Sequence, residues 1–206
     1  MTDARSAQLP RGRHHLSRDD VVGAQRARIL QALAETMSER GYVGTPVAAI
    51  VERAGVSRET FYQQFSSKPD CFIAALEDTI ARLGRTLSAA LDLGGAPLAT
   101  FDRLLAAYLN ALADDPATAR LFLIETYAAG PDVMRRRLEL QTQFVDGIAD
   151  VFGVADAAGR FACEALVGAV ISMVTARFVA NDVARLDALR APLVELAGRL
   201  LTPRAE

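Results

Sequence analysis

The densest group of side chains able to make directional polar contacts lies in residues 57–68, which hold Ser57, Arg58, Glu59, Thr60, Tyr62, Gln63, Gln64 and Lys68. These groups suit recognition better than reaction. An arginine fork gives two hydrogen bonds to guanine, a glutamine amide pairs with adenine, and a carboxylate accepts from the cytosine amino group. Tyrosine reaches a phosphate or a thymine methyl. Thr45, Thr60 and Lys68 fall at helix starts or on their flank, where phosphate oxygens are the natural partners.

Catalytic groupings are not evident. The two histidines, His14 and His15, adjoin in the N-terminal stretch, and no Ser-His-Asp or Cys-His arrangement or glycine-rich phosphate loop appears. Asp114 and Asp115 lack a third carboxylate at helical spacing, and Pro116 makes the pair look like a helix start. Cys71 and Cys163 sit in no Cys-x-x-Cys pair and at no zinc spacing from a histidine, so they read as reduced, packed small hydrophobes. The expectation is no enzyme, no metal and no cofactor.

For the polar set to act together, a short helix must present it outward. The string PVAAIVERAGVSRETFYQQF (residues 46–65) has the pattern for this. Thr45 is expected to supply a capping oxygen and Pro46 the first position of one short helix. Gly55 supplies the left-handed turn, and Ser57 caps a second short helix reaching Gln64. Phe61 and Phe65, four apart, should face the core. Two such helices at a steep angle form a helix-turn-helix, whose second helix enters the DNA major groove. A preceding helix, capped by Ser17 and closed by Gly41, carries Ile29, Leu30, Leu33 and Met37 on one face.

The rest of the chain also reads as helix. Phe72, Leu76, Ile80, Leu83, Leu87 and Leu91 mark a long one. Breaks at 93–97, 114–116 and 130–131 separate further helices, and the run 121–124 has no single amphipathic stripe, as expected of a helix buried on most sides. The fold class is all-α, with about nine helices. Hydrophobic residues make up 51% of the 206, enough for a sizeable core. Residues 1–68 carry ten Lys or Arg against seven Asp or Glu, while the remainder carries thirteen against eighteen. A basic front on an acidic body fits an anionic partner for the front, although chance asymmetry would look the same. No signal peptide is seen, and the most apolar segment, 166–174, is short for a membrane span; the chain is expected to be cytoplasmic.

Residues 26–72 resemble the DNA-binding domain of the TetR family of regulators. The matching stretches are RIL at 28–30, ERGY at 39–42, IVERAGVS at 50–57, TFY at 60–62 and FSSK at 65–68. Two departures stand out. Glu59 replaces a small residue, often glycine, and either reads a cytosine or only complements the helix N-terminus. Gln64 replaces a common histidine. The resemblance implies three parts: a basic arm (1–16, with Arg11, Arg13, His14 and His15), a three-helix DNA-binding domain (17–68), and a helical effector-binding and dimerisation domain (69–206). It implies a transcriptional regulator, more often a repressor, that binds double-stranded operator DNA and is released by a small-molecule effector. The arm either follows DNA or is a solvated tail, and Tyr62 either reads DNA or packs on the long fourth helix.

By the same resemblance, the last two helices pair two copies into a homodimer. The sequence is compatible: small residues Ala165, Gly168, Ala169 and Ser172 recur on one helix, and Leu189, Leu193, Ala197 and Leu200 form a stripe on the other. Ordinary intrachain packing would use the same pattern. An effector pocket is expected within the body, with Phe101, Tyr108, Phe122, Glu125, Leu138, Gln141, Phe144 and Phe161 as candidate lining. Glu125, beside an apolar run, either neutralises a cationic effector, pairs with Arg120 or faces solvent. The alternative function is a helix-turn-helix protein acting through a protein partner without an effector.

Overall fold

A computed structural model describes residues 18–201. The expected Ser17 cap and the basic arm lie outside the described residues. Nine α-helices, three short 3-10 turns and no strand are found among those described. The helices are α1 (Arg18–Arg40), α2 (Val47–Ala54), α3 (Arg58–Gln64), α4 (Lys68–Leu91), α5 (Pro97–Asp114), α6 (Pro116–Leu123), α7 (Pro131–Phe152), α8 (Ala157–Val179) and α9 (Arg190–Leu201).

Helix α1 is the floor on which α2 and α3 are built. Ile29, Leu33 and Met37 are fully buried, and with Ile50, Phe61 and Phe72 they form the core under α2 and α3. Gly55 ends α2 at φ 62 and ψ 41. Its N–H donates to Glu52 O, while the Val56 N–H reaches back to Val51 O, so two orphan carbonyls are met by a Schellman turn. Arg53 ties α2 to α1 through Glu39 at 2.7 Å and Glu35 at 3.8 Å.

The start of α2 differs from expectation. Pro46 itself is the N-cap, and no side chain caps this helix. Thr45 is fully buried, and its hydroxyl donates to Gly41 O at 2.8 Å. The loop from Gly41 to Thr45 turns tightly enough to hand the threonine a nearer acceptor. A Cβ on Gly44 would lie 2.4 Å from the Arg40 carbonyl oxygen, so this loop admits only glycine there.

Helix α6 is capped by Asp115, which accepts the Thr118 N–H at 3.2 Å. Leu121, Phe122 and Leu123 are all buried, and α6 touches α1, α4, α5 and α8. This short helix therefore joins the C-terminal body to the floor under α2 and α3.

The stripe of α9 turns inward. Leu189, Leu193 and Ala197 are buried within the same chain, where α9 packs on α5 and α8, and only Leu200 of the four is exposed. Periodicity identifies an apolar face but not which chain covers it, and here the covering is intrachain. Helix α8 differs: Cys163, Leu166, Val170, Val174 and Phe178 point inward, whereas Phe161, Met173 and Val179 are exposed on the outside. By length and composition α8 is apolar enough to cross a membrane. Its inner side is already committed to protein.

Candidate nucleic-acid interface and internal cavity

Helix α3 is held by its two phenylalanines. Phe61 and Phe65 are buried with ring centroids 5.5 Å apart, and the Arg26 guanidinium lies 4.6 Å from the Phe65 centroid. The Ser57 hydroxyl oxygen caps the helix by accepting the Thr60 N–H at 2.9 Å, and it also meets the Thr60 hydroxyl at 2.9 Å. Fixing one face this way turns the other outward. Arg58, Glu59, Tyr62 and Gln63 are exposed, with Tyr62 at 48%.

Two pairs, each one helical turn apart, order that outer face. Arg58 lies 5.9 Å from the Tyr62 ring centroid, and the Gln63 amide donates to Glu59 at 3.3 Å. Glu59 thus has a polar partner besides the helix N-terminus it complements. Arg58 forms no ion pair among the described residues, which leaves its guanidinium fork available. Gln64 is partly buried, and its Oε1 is buried without a hydrogen-bond partner among the described residues.

Two sequence candidates have other duties. Thr45 is withdrawn, because its buried hydroxyl is bonded to Gly41 and cannot face a phosphate. The Lys68 ammonium donates to Tyr42 O at 2.8 Å and Thr45 O at 3.0 Å, and sits 3.9 Å from the Tyr42 ring centroid. Burial lowers its pKa from the ordinary lysine value. Two of its three donors are thereby used to clip the start of α4 to the loop after α1. Sequence reasoning did not single out Tyr42 as the receiver of this clip. The one available signal was its place in the ERGY stretch.

A cavity of about 660 Å³ opens between α4, α5, α7 and α8, with Phe122 of α6 in its wall. That volume falls in the usual range for a small-molecule site. Phe101, Tyr108, Phe122 and Phe144 line it, as do Leu87, Leu91, Ile148 and Ile171, which the sequence reading had not assigned to a pocket. Leu87 and Leu91 continue the apolar stripe of α4 past the point where packing stops, so that stripe carried the signal.

Four candidates do not line the cavity. Leu138 is 51% and Phe161 70% exposed, and Gln141 sits off the lining face of α7. On α7 the inward rows take Arg137, Leu140, Phe144 and Ile148, and positions one residue away are turned by about 100° on a 3.6-residue helix. Glu125 instead accepts the Tyr42 backbone N–H through Oε2 at 2.6 Å. It is not paired with Arg120, whose guanidinium donates to Phe178 O at 3.1 Å.

Comparison with known proteins places these features. Residues 29–75 match the model of the bacterial regulatory proteins of the tetR family. The transcriptional regulator RutR of Escherichia coli K12 is 33% identical over 117 residues, which is 57% of this chain and 55% of RutR, so the chain spans about half the length of this curated relative. Two solved structures share the fold. The fatty acid degradation regulator FadR of Bacillus halodurans has a TM-score of 0.78 at 20% identity, with 87% of this chain and 97% of that one covered. FadR of Bacillus subtilis, in complex with stearoyl-CoA, has a TM-score of 0.69 at 20% identity, with 87% and 99% covered.

Proposed function

We propose that this chain, whose residues 29–75 match the tetR family of bacterial regulatory proteins, is a TetR-family transcriptional regulator, a cytoplasmic repressor that binds a palindromic operator as a homodimer and is released by a small molecule in the 660 Å³ cavity. The carrying observation is the outer face of α3. Its buried side is anchored by Phe61 and Phe65 while Arg58, Glu59, Tyr62 and Gln63 stand clear of the protein. Ser57 and Thr60 stand at the N-terminal end of that face and Gln64 at its C-terminal edge, while Lys68 braces the adjoining start of α4 against the loop after α1. The reading divides the chain at Lys68 into a DNA-reading unit and a body that receives the effector and the second copy.

The outside of α8 supports the homodimer. Phe161 and Val179 stand exposed on one face of α8, with Met173 exposed on its flank, and a two-fold partner would cover that face with the same residues. Two α3 helices would then meet successive major grooves about 34–36 Å apart. Effector release is supported by the placement of Phe122, which faces the cavity from the helix that packs on α1. A ligand that prefers one setting of α6 would bias the spacing of the two α3 helices. No catalytic constellation enters this reading.

The test is selection of DNA from a random library by the full chain. A palindrome of two half-sites is expected, and its binding should be lost in an Arg58→Ala, Tyr62→Ala double variant. Enrichment of no sequence, or equal binding by the double variant, would overturn the assignment.

A further inference from the structure

The cavity is nearly neutral, and one charge stands just behind its wall. Among the lining residues only Glu77 and Arg136 are charged, and they pair with each other at 2.7 Å, Arg136 also meeting Glu139 at 3.0 Å. Arg137 is different. It is 3% exposed, and among the described residues it forms no ion pair; its Nε and Nη2 are buried with no hydrogen-bond partner there. Its guanidinium carbon lies 5.4 Å from the Phe122 ring centroid and 5.3 Å from that of Tyr127. Phe122 and Tyr108 both line the cavity. Burial pushes the Tyr108 phenol up, and the positive charge of Arg137 works in the opposite direction, which places the two groups within electrostatic reach.

A buried guanidinium with idle donors is costly, and aromatic faces recover only part of the lost hydration. The partner that best matches a desolvated guanidinium is an anion, planar or tetrahedral, that accepts at two points, as a carboxylate or phosphate does. The residues in front of Arg137 are apolar, so that partner must bring an apolar body with it.

We propose that Arg137 is the anchor for an anionic head group, and that the effector is an amphiphile with an apolar tail in the cavity and a carboxylate or phosphate directed past Phe122 to Arg137. The inference rests on the reading of the cavity as the effector site, and it adds a charge and a shape to that ligand. The tail is held by Leu87, Leu104, Phe144 and Ile171. The head reaches Arg137 when the Phe122 ring turns aside. Phe122 belongs to α6, so the same movement is felt at the contact with α1. A cationic ligand is disfavoured by the same guanidinium, which reverses the charge expected when Glu125 was the candidate.

Calorimetry on the full-length protein with dodecanoate, dodecyl phosphate, dodecanol and dodecylammonium decides it. Both anions should bind about ten- to a hundredfold tighter than the alcohol, the worth of a charge-assisted hydrogen bond. The ammonium should bind most weakly. Among octanoate, decanoate and dodecanoate, affinity should rise about fourfold per methylene. Arg137→Met should erase the preference for anions while alcohol binding stays, and Arg137→Lys should keep part of it. Whether the carboxylate or the phosphate binds better identifies the head group. Equal binding of alcohol and anions by the wild type, or a preference that survives in Arg137→Met, overturns the anchor while leaving the cavity as a site. Binding of none of the four probes overturns the cavity reading and the anchor together. If Arg137→Met does not fold, the wild-type series and Arg137→Lys still decide.

Discussion

Oε2 of Glu125 accepts the backbone N–H of Tyr42 at 2.6 Å, joining the 3-10 turn that follows α6 to the loop that follows α1. On its other side the Tyr42 carbonyl receives the Lys68 ammonium at 2.8 Å. One loop residue is thus held both by the body and by the first residue of α4, the helix that follows α3 directly. Removing the carboxylate in Glu125→Ala should cost about 1.5 kcal/mol, the low end for a hydrogen bond to a charged group, because the site is only part-buried. Glu125→Gln keeps an acceptor and should recover much of that. Urea midpoints at pH 7 give the stability change. An Ala variant as stable as the wild type would show that the bond is idle.

On α3, Arg58→Ala should weaken operator binding by about 1–3 kcal/mol and relax base preference at one position in each half-site. The side chain forms no ion pair among the described residues, so its loss should leave the melting temperature nearly unchanged. Fluorescence anisotropy against an operator and its single-base variants separates the two effects. Uniform weakening on every sequence would reassign Arg58 to the phosphate backbone.

The Ser57 cap is a different kind of contribution. Its oxygen satisfies the Thr60 N–H of a helix only seven residues long, which has little propensity of its own to spare. Ser57→Ala should cost about 0.5–2 kcal/mol, and Ser57→Asp much less. Hydrogen exchange should localise the loss to α3. Unchanged protection of its amides would mean that Phe61 and Phe65 hold the helix without the cap.

Much of this was legible in the chain before any coordinates. Gly41, Gly55, Ser57 and the Asp115-Pro116 pair are local signals, since each acts through its own dihedral angles or one nearby N–H, and the structure uses all four. The 121–124 run without a stripe became a helix buried on several sides. What resisted was long-range. Glu125 meets Tyr42 across 83 positions, and nothing in its neighbourhood on the chain identifies that partner. Leu138 and Phe161 have the composition of pocket residues but the wrong rotation on their helices. The α9 stripe showed an apolar face whose cover turned out to be α5 and α8.

Helix α8 makes a prediction of association. Phe161 and Val179 are 70% and 68% exposed near its two ends, and both lie on the face turned from the core. If a second copy covers this face, Phe161→Glu or Val179→Asp buries an unpaired charge in the seam of each copy. Either variant should shift the protein toward monomer at micromolar concentration and weaken operator binding, with α3 itself intact. Light scattering measures the first effect and a gel shift the second. A monomeric wild type at the same concentration would remove the dimer from the reading.

The last prediction concerns acid. Arg190, at the start of α9, grips Asp102 of α5 with two hydrogen bonds of 2.7 and 2.8 Å across 88 positions. The Arg190 hydrogen bond and charge hold the Asp102 carboxyl below its usual value, opposed in part by desolvation. Because the folded value is depressed, the stabilisation is complete above the unfolded value of about 4 and fades as pH falls through the folded one. Both side chains are about a third exposed, at 39% and 35%, so solvent screening limits the coupling to about 0.5–1 kcal/mol. A double-mutant cycle of Asp102→Asn and Arg190→Gln should return that energy at pH 7 and a smaller one at about pH 3. A coupling that stays constant between the two would show that the pair is held by shape and not by charge.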